Sequence, residues 1–434
     1  MYEPYTPPPE HFNEALLNWC EERPFGADGR ILRTTVAVIG AGFVGLHLIK
    51  AFSRRHRVIA YDIDDRRLME LTSFGVGEDV LCTSNPEELR SAEYFLVAVP
   101  TKVNHDNTIN ADAVQSAIDM IAQYAKDGAT IIIESSVAIG MTRELLTPAI
   151  HLRGFRGGMS PERVDPGRTF PKFHSIPKIV SGLDDIAPGS LKAISGLYCT
   201  IFSEVVPVSC PEVAEMTKLY ENCQRMINIA YANEMADACS GIGIDPFEVS
   251  RAAATKPFGY QPYMPSPGVG GHCIPVNPYY LLHNSEFPLL EAATRKMKQR
   301  PRHIADCIMK KRKRNGSSSS AKGSGPKILV VGTGFKRGQA NLSNSPGVEM
   351  IRHLLDEYQA YVEFCDPLVS QEALDFVPRL DERSEWNAET IDARFDIVVV
   401  ALDQTGLDMT VLMQLKRATV DNYSGCLPWG ASCV

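Results

Sequence analysis

Short, nearly continuous apolar runs recur along the first half of this chain, each followed by a glycine-rich turn or a stretch with helical spacing. TTVAVIG (34–40) leads through the turn AGFVG into LHLIKAFSRRH and a second apolar run, RVIAYDID. YFLVAV (94–99) and TIIIE (130–134) continue the theme, with the helical pattern of residues 111–124 between them. Strands apolar on both faces and alternating with helices predict a parallel sheet covered on each side. That accounts for roughly the first 200 residues as one doubly wound domain.

The texture then changes. Residues 212–241 are apolar at helical spacing, with no Pro or Gly until their end, and predict a helix about 45 Å long. Residues 289–314 predict a second helix, interrupted at Pro301. NGSSSSAKGSGP (315–326) reads as a flexible linker. Beyond it KILVVGTGFK restarts the strand–turn–helix pattern, and YVEFCDP and FDIVVVALD supply further strands. The expected class is α/β, with two Rossmann-like doubly wound domains joined by a long central helix. The expected boundaries are an N-terminal extension (1–33), a first doubly wound domain (34–205), a central helical domain (206–300), a helix end with linker (301–326) and a last domain (327–434).

Composition narrows the class. The chain has 434 residues, 44% hydrophobic and 22% charged, the balance of a globular protein. No run reaches the ~18 apolar residues of a membrane helix, and MYEPYTPPPEHF lacks the basic and apolar regions of a signal peptide. A net charge of −8 offers no general attraction to nucleic acid or anionic membrane. The run Lys310–Arg314 is read as a solvated helix end. Eleven scattered cysteines without a C-x-x-C pair point to reduced thiols in a cytoplasmic protein, with no metal site expected.

Gly40-Ala41-Gly42-Phe43-Val44-Gly45 follows a strand and opens a helix. Gly40 permits the tight turn, Gly42 lets backbone approach a pyrophosphate, and Gly45 lets helix and strand pack closely. Free amides at the helix start then hold the phosphates. Asp62 ends the next strand, where a carboxylate accepts from ribose hydroxyls and repels a 2′-phosphate, so NAD is favoured. Arg66 and Arg67 lie close enough to complicate that choice. The second turn, Gly332-Thr333-Gly334-Phe335-Lys336, lacks a third glycine and a well-placed acid; Lys336 suits a single phosphate or a diphosphate.

The segment Ser266–Pro275 (SPGVGGHCIP) carries Cys273 among Gly268, Gly270 and Gly271, with prolines at 267 and 275 and Pro265 just ahead of it. Such a loop is rigid and leaves the sulfur uncovered, and His272 is placed to lower the thiol pKa. On the long helix, Lys218 and Asn222 are four apart and share a face. An ammonium and an amide converging on one point suit a developing oxyanion; a solvated stripe with Glu221 and Arg225 is the alternative.

These motifs resemble the UDP-glucose/GDP-mannose dehydrogenase family from about Thr34 to about Asp421. The resemblance is carried by GAGFVG, YDID, VAVPT, ESSVAIGMT, SPERVDPG, AEMTKLYENCQRMINIAYANE, GVGGHCIPVNPYYL, VVGTGFK and SPGVEMI. SPERVDPG and GGHCIPV are similar to the branch acting on UDP-N-acetylhexosamines. The resemblance implies oxidation of the C6 alcohol of a nucleotide sugar to a carboxylate with two NAD+. It implies Cys273 as the nucleophile of a thiohemiacetal and then a thioester, Glu162 steering or deprotonating water, and Lys218 and Asn222 holding the charged oxygen. By the same resemblance Pro100, Thr101, Ser136, Glu162 and Arg67 join the turn and Asp62 around NAD. Arg163, Val164, Lys218, Asn222, Arg225, Tyr260, Gly270, Gly271 and Lys336 are expected around the UDP-sugar. A homodimer through the central domain is also implied.

The departures from the family pattern are specific. Asn277 stands where the family has Asp, Phe258 where it has Arg, and Met297 where it has Asn. NLSNSP (341–346) lacks the Arg of the family's D-x-R-x-S-P, and SVAIG (136–140) replaces its Thr-x-x-Pro-Gly. Two lost cations near an anionic ligand remove a few kcal/mol of charge-assisted binding. Two other readings therefore stay open: an NAD-dependent oxidoreductase of a non-nucleotide alcohol or aldehyde, and a catalytically impaired nucleotide-binding protein.

Overall fold

The computed structural model describes residues 33–427, apart from 74, 105 and 315–324. The N-terminal extension through residue 32 and most of the Gly/Ser linker lie outside the described residues. The rest divides into two compact units, residues 33–221 with 279–286, and residues 222–278 with 287–427.

The first unit is built on ten strands: β1 (Thr35–Ile39), β2 (Arg57–Tyr61), β3 (Val80–Thr83), β4 (Tyr94–Val97), β5 (Lys102–Val103), β6 (Ile109–Asn110), β7 (Thr130–Ile133), β8 (Arg156–Met159), β9 (Lys178–Val180) and β10 (Val205–Pro207). Six form one sheet in the order β3-β2-β1-β4-β7-β8. Every pairing in it is parallel, with Val38 opposite Ala60 on one side and Leu96 on the other. The sequence dictates this directly, because β-branched and aromatic runs suit a buried pleated surface. Alternate residues point to opposite faces. Phe95 and Ile131 join one core layer with Ile118 and Leu146, while Leu96 and Ile132 join the other with Leu48, Phe52 and Tyr198. Helices α1 (Phe43–Phe52), α2 (Asp65–Ser73), α3 (Asp112–Tyr124), α4 (Met141–Arg153) and α5 (Ser190–Cys199) cover the sheet; β5 and β6 form a small hairpin, and β9 and β10 a separate parallel pair.

Helix α6 (Pro211–Gly241) matches the predicted long helix, and the division between the units falls inside it. It is followed by α7 (Pro246–Ala253), α8 (Asn277–Asn284) and α9 (Pro288–Arg314). The break expected at Pro301 does not occur, since α9 runs through it. Proline removes one backbone donor. Here its ring faces Gly268, where an added Cβ would stand 3.2 Å from Pro301 Cγ.

In the second unit β11 (Lys327–Val331), α10 (Pro346–Tyr358), β12 (Tyr361–Cys365), α11 (Ala388–Arg394), β13 (Ile397–Val400) and β14 (Thr419–Asn422) form another doubly wound domain. Its sheet is parallel, in the order β12-β11-β13-β14. Ile304, Ile308 and Met309 of α9 pack into the layer of Val330, Ile351, Leu354, Phe364 and Val399. In the basic run Lys310 and Lys313 are exposed as expected, while Lys311 and Arg312 are half-buried. Lys311 pairs with Asp421 at 3.3 Å and Arg312 with Asp396 at 3.5 Å. Among the described residues no helix is long and apolar enough to cross a membrane.

Candidate active site

The glycine turn joins β1 to α1. Gly40 has φ +95° and lies against the Ala98 carbonyl, which a Cβ would approach to 2.9 Å. At Gly45 a Cβ would come within 1.8 Å of the Gly40 carbonyl oxygen, so only glycine lets α1 sit this close. Gly42 faces open space and, as the α1 N-cap, provides no side-chain cap. The first amides of α1 thus remain available to an anion. Asp62, just past β2, accepts from Ala41 N at 2.7 Å and from Asp64 N at 3.0 Å, which fixes its carboxylate beside the turn. These features fit a dinucleotide pyrophosphate and a ribose. Arg66 pairs with Asp64 and Arg67 with Glu70. Both cations the sequence left near the ribose are therefore engaged with carboxylates.

Other loops past the carboxyl ends of these strands carry Pro100, Thr101, Ser136, Glu162 and Arg163. Thr101, two residues after Val99, donates to the Ser136 carbonyl at 2.8 Å, and Ser135 donates to the Val99 carbonyl at 2.6 Å. Pro100, Thr101 and Ser136 are thereby brought together. Glu162 follows β8 and is buried. One of its carboxylate oxygens accepts from Val164 N and the other meets Lys218 Nζ at 3.1 Å; Nζ also donates to the Glu162 carbonyl. Arg163 is held by Glu221 at 2.6 Å and donates to the Pro177 carbonyl at 2.9 Å.

In the second unit the thiol loop is pinned along its length. Asn233 Oδ1 accepts from Ser266 N at 2.8 Å, and Arg300 Nε donates to the Ser266 carbonyl at 3.0 Å. Arg300 is itself fixed by two bonds to Asp237. At Gly271 (φ +91°) a Cβ would meet the Phe335 ring at 2.9 Å. Gly271 N donates to the Ser343 carbonyl at 2.7 Å, and Asn344 Nδ2 donates to the Gly271 carbonyl at 2.9 Å. Cys273 is half-buried. The Cys273 carbonyl accepts from Asn277 N at 2.9 Å. Asn222 Nδ2 donates to Asn277 Oδ1, and Arg225 donates to Asn222 Oδ1. His272, expected to assist the thiol, lies at 2.9 Å from Ser343 Oγ and 3.2 Å from Asn341 Nδ2. Tyr260 is half-buried on the irregular stretch before this loop.

Two expectations are corrected. The second glycine turn does have an acid: Asp366, fully buried past β12, accepts from Thr333 N at 2.8 Å and Gly334 N at 3.0 Å. It has a third glycine as well. Gly347 on α10 stands where a Cβ would lie 3.0 Å from the Gly332 carbonyl. Residues 335–345, Lys336 among them, separate these parts, so a contiguous motif does not reveal them. Unlike α1, α10 is capped, by Ser345 on Val348 N. The reduced-thiol expectation fails at Cys199, which is disulfide-bonded.

The sequence reading also missed a buried cluster of Glu134, Lys178 and Tyr198. Lys178 Nζ lies 2.6 Å from Glu134 Oε2, and Tyr198 donates to Glu134 Oε1. The visible signal was a charge at the edge of two apolar strands, TIIIE and PKIVSG.

The NAD binding domain of the UDP-glucose/GDP-mannose dehydrogenase family matches residues 34–202, and that family's central domain matches residues 212–297. A UDP-N-acetyl-D-glucosamine 6-dehydrogenase of Pseudomonas aeruginosa is 31% identical over 78% of this chain and 83% of its own. A UDP-N-acetyl-D-mannosamine dehydrogenase of Pyrococcus horikoshii is 31% identical over 77% of this chain and 84% of its own. The solved structure of a UDP-D-ManNAc dehydrogenase from Pyrococcus horikoshii superposes with a TM-score of 0.78 at 26% identity, covering 92% of this chain and 98% of that one. With a glycine turn and carboxylate that fit NAD, the chain belongs to the UDP-glucose/GDP-mannose dehydrogenase family and is an NAD-dependent nucleotide-sugar dehydrogenase.

Proposed function

We propose that the substrate is a UDP-N-acetylhexosamine, whose C6 primary alcohol is oxidised to the uronate. The balance is one alcohol, two NAD+ and one water giving one carboxylate, two NADH and three protons. The similarity to enzymes named for UDP-N-acetyl-D-glucosamine and UDP-N-acetyl-D-mannosamine supports the sugar class. The observation that carries the chemistry is the half-buried thiol of Cys273 on a loop fixed from Ser266 to Gly271.

NAD+, when bound, supplies the hydride acceptor for both oxidations, at the turn of Gly40, Gly42 and Gly45 with Asp62 on the ribose. The Cys273 sulfur attacks the C6 aldehyde, and the carbonyl oxygen becomes the hydroxyl of a thiohemiacetal. Oxidation of that adduct leaves a thioester, which water cleaves to release the carboxylate and restore the thiol. Lys218 and Asn222, one turn apart on α6, donate to the oxygen that carries negative charge. Glu162 orients the water. Arg163, Val164, Arg225, Tyr260, Gly270, Gly271 and Lys336 hold the sugar and its diphosphate.

The functional unit is a homodimer in this reading. Val213, Met216, Tyr220, Tyr231 and Met235 leave apolar surface exposed along α6, Tyr220 at 71% and Tyr231 at 61%. A second copy covers it, and Tyr231→Glu is expected to shift sedimentation from dimer to monomer.

The test is NADH formation with a panel of UDP-sugars. The expected result is two NADH per UDP-N-acetylhexosamine consumed and a uronate product by mass. Absence of turnover on every member, with folded protein that binds NAD, overturns the proposal.

A further inference from the structure

Glu134, Lys178 and Tyr198 form a charged cluster in the interior of the first unit. The side chains of Lys178 and Glu134 are 4% and 0% exposed, and Tyr198 is fully buried. Burying an ion pair is expensive, and well-packed apolar residues of similar size commonly match or exceed its stability. Stability alone therefore does not account for it.

Its remaining bonds do. Lys178 Nζ donates to the Pro161 carbonyl at 3.2 Å and the Ser160 carbonyl at 3.4 Å. The next carbonyl, that of Glu162, accepts from Lys218 Nζ. Two ammonium groups thus take three consecutive carbonyls of the turn that ends on Glu162. Tyr198 holds the Glu134 oxygen that Lys178 leaves, and the Tyr198 and Phe202 rings lie 5.5 and 5.7 Å from Lys178 Nζ. Ser160 closes the base by donating to the Ile179 carbonyl at 2.7 Å. Two carboxylates and two ammonium groups stand together, so the charges balance. Burial pushes the Glu134 carboxyl up, while Lys178 pulls it back toward the ionised form.

We infer that Lys178, with Glu134 and Tyr198, is a positioning device for Glu162, fixing the height and direction of its carboxylate through the Ser160–Pro161 backbone. The inference rests on the water-orienting role proposed for Glu162 and extends it to residues that touch neither substrate nor cofactor. A lysine ammonium can satisfy two carbonyls and a carboxylate at once, which no apolar side chain can do.

The experiment uses the full-length chain with Glu134→Gln/Lys178→Met, which removes both charges together, beside Lys178→Arg and Tyr198→Phe. The first readout is steady-state kinetics on the best UDP-sugar. The double variant is expected to lose kcat by about tenfold to a hundredfold, the scale of a misplaced catalytic group. Lys178→Arg is expected to recover most of that loss. The second readout needs no substrate. Hydrogen exchange at the Val164 amide, bonded to the Glu162 carboxylate, is expected to quicken by about tenfold or more in the double variant. Folded protein with wild-type kcat and wild-type Val164 exchange overturns the inference. Should the double variant fail to fold, Tyr198→Phe decides: unchanged exchange at Val164 counts against positioning, and faster exchange supports it. An inactive wild-type chain speaks against the proposed substrate and mechanism, whereas Val164 exchange judges the positioning role separately.

Discussion

Asn222 and Asn277 are joined by an amide-to-amide hydrogen bond, Nδ2 of the first donating to Oδ1 of the second, with both side chains buried. Arg225 completes the row by donating to Asn222 Oδ1. An amide cannot accept a proton at neutral pH, so position 277 supplies geometry without basicity. Asn277→Asp keeps the shape and the bond from Asn222, and adds a charge that the Arg225 row can steady. The expected outcome is a kcat increase of about tenfold, at the low end of general-base contributions. An acid limb in the pH–rate profile should accompany it as the new carboxylate protonates. Steady-state rates across pH check this; an unchanged or lower kcat at neutral pH sinks it.

What was readable from the sequence depended on whether the parts of a device are contiguous. The first glycine turn lies in one stretch with Asp62 shortly after it, so fold and cofactor class follow from local pattern. The second turn has the same parts, but residues 335–345 separate Gly334 from Gly347, and Asp366 reaches the turn only because β12 lies beside β11. Lys178 and Tyr198 meet Glu134 from 44 and 64 residues away, a proximity created by tertiary structure. Pro301 misled for a related reason. A helix breaker in isolation, it is accommodated within α9, where its ring faces Gly268. In the basic run Lys310–Arg314 the sequence shows only charge, and Asp396 and Asp421, the partners of Arg312 and Lys311, lie 84 and 110 residues away.

The thiols should separate sharply in reactivity. Burial pushes Cys223 up to about 12 and Cys365 also upward, which keeps both protonated and covered. Cys273 is half-buried on its glycine loop. Brief treatment with iodoacetamide near neutral pH is expected to alkylate Cys273 while sparing Cys223 and Cys365, with loss of NADH formation tracking Cys273 by peptide mass. Cys273→Ser is expected to reduce kcat for complete oxidation by at least about a thousandfold. Full uronate formation by that variant rules out the covalent route.

Cofactor choice rests on Asp62. Its carboxylate is oriented by Ala41 N and Asp64 N, while Arg66 and Arg67 are held by Asp64 and Glu70. Asp62→Asn preserves an acceptor for Ala41 but removes the charge. KM for NAD+ is expected to rise about tenfold, about 1.4 kcal/mol, while use of NADP+ improves as repulsion of the 2′-phosphate disappears. The ratio of kcat/KM for the two cofactors measures it. A preference unmoved by the substitution would place discrimination elsewhere.

His56 makes the fold acid-sensitive. Its imidazole is 2% exposed, lies 2.7 Å from Thr200 Oγ1 through Nε2, and leaves Nδ1 buried without a hydrogen-bond partner. Burial lowers its pKa from 6.5 to about 4, with Arg55 adding to the effect and Glu93 opposing it. The unfolded chain therefore binds a proton at a higher pH than the folded one. The resulting stability is fully present above pH 6.5 and is lost as pH falls toward about 4. A shift of this size corresponds to at most about 3 kcal/mol. His56→Phe removes the titrating group and keeps a ring beside Phe52, while Thr200 retains its bond to the Leu197 carbonyl. Urea unfolding of both proteins between pH 7 and pH 4.5 should show a smaller loss of stability in the variant, with the two curves converging as acid is added. Parallel curves would mean that the acid sensitivity comes from other groups.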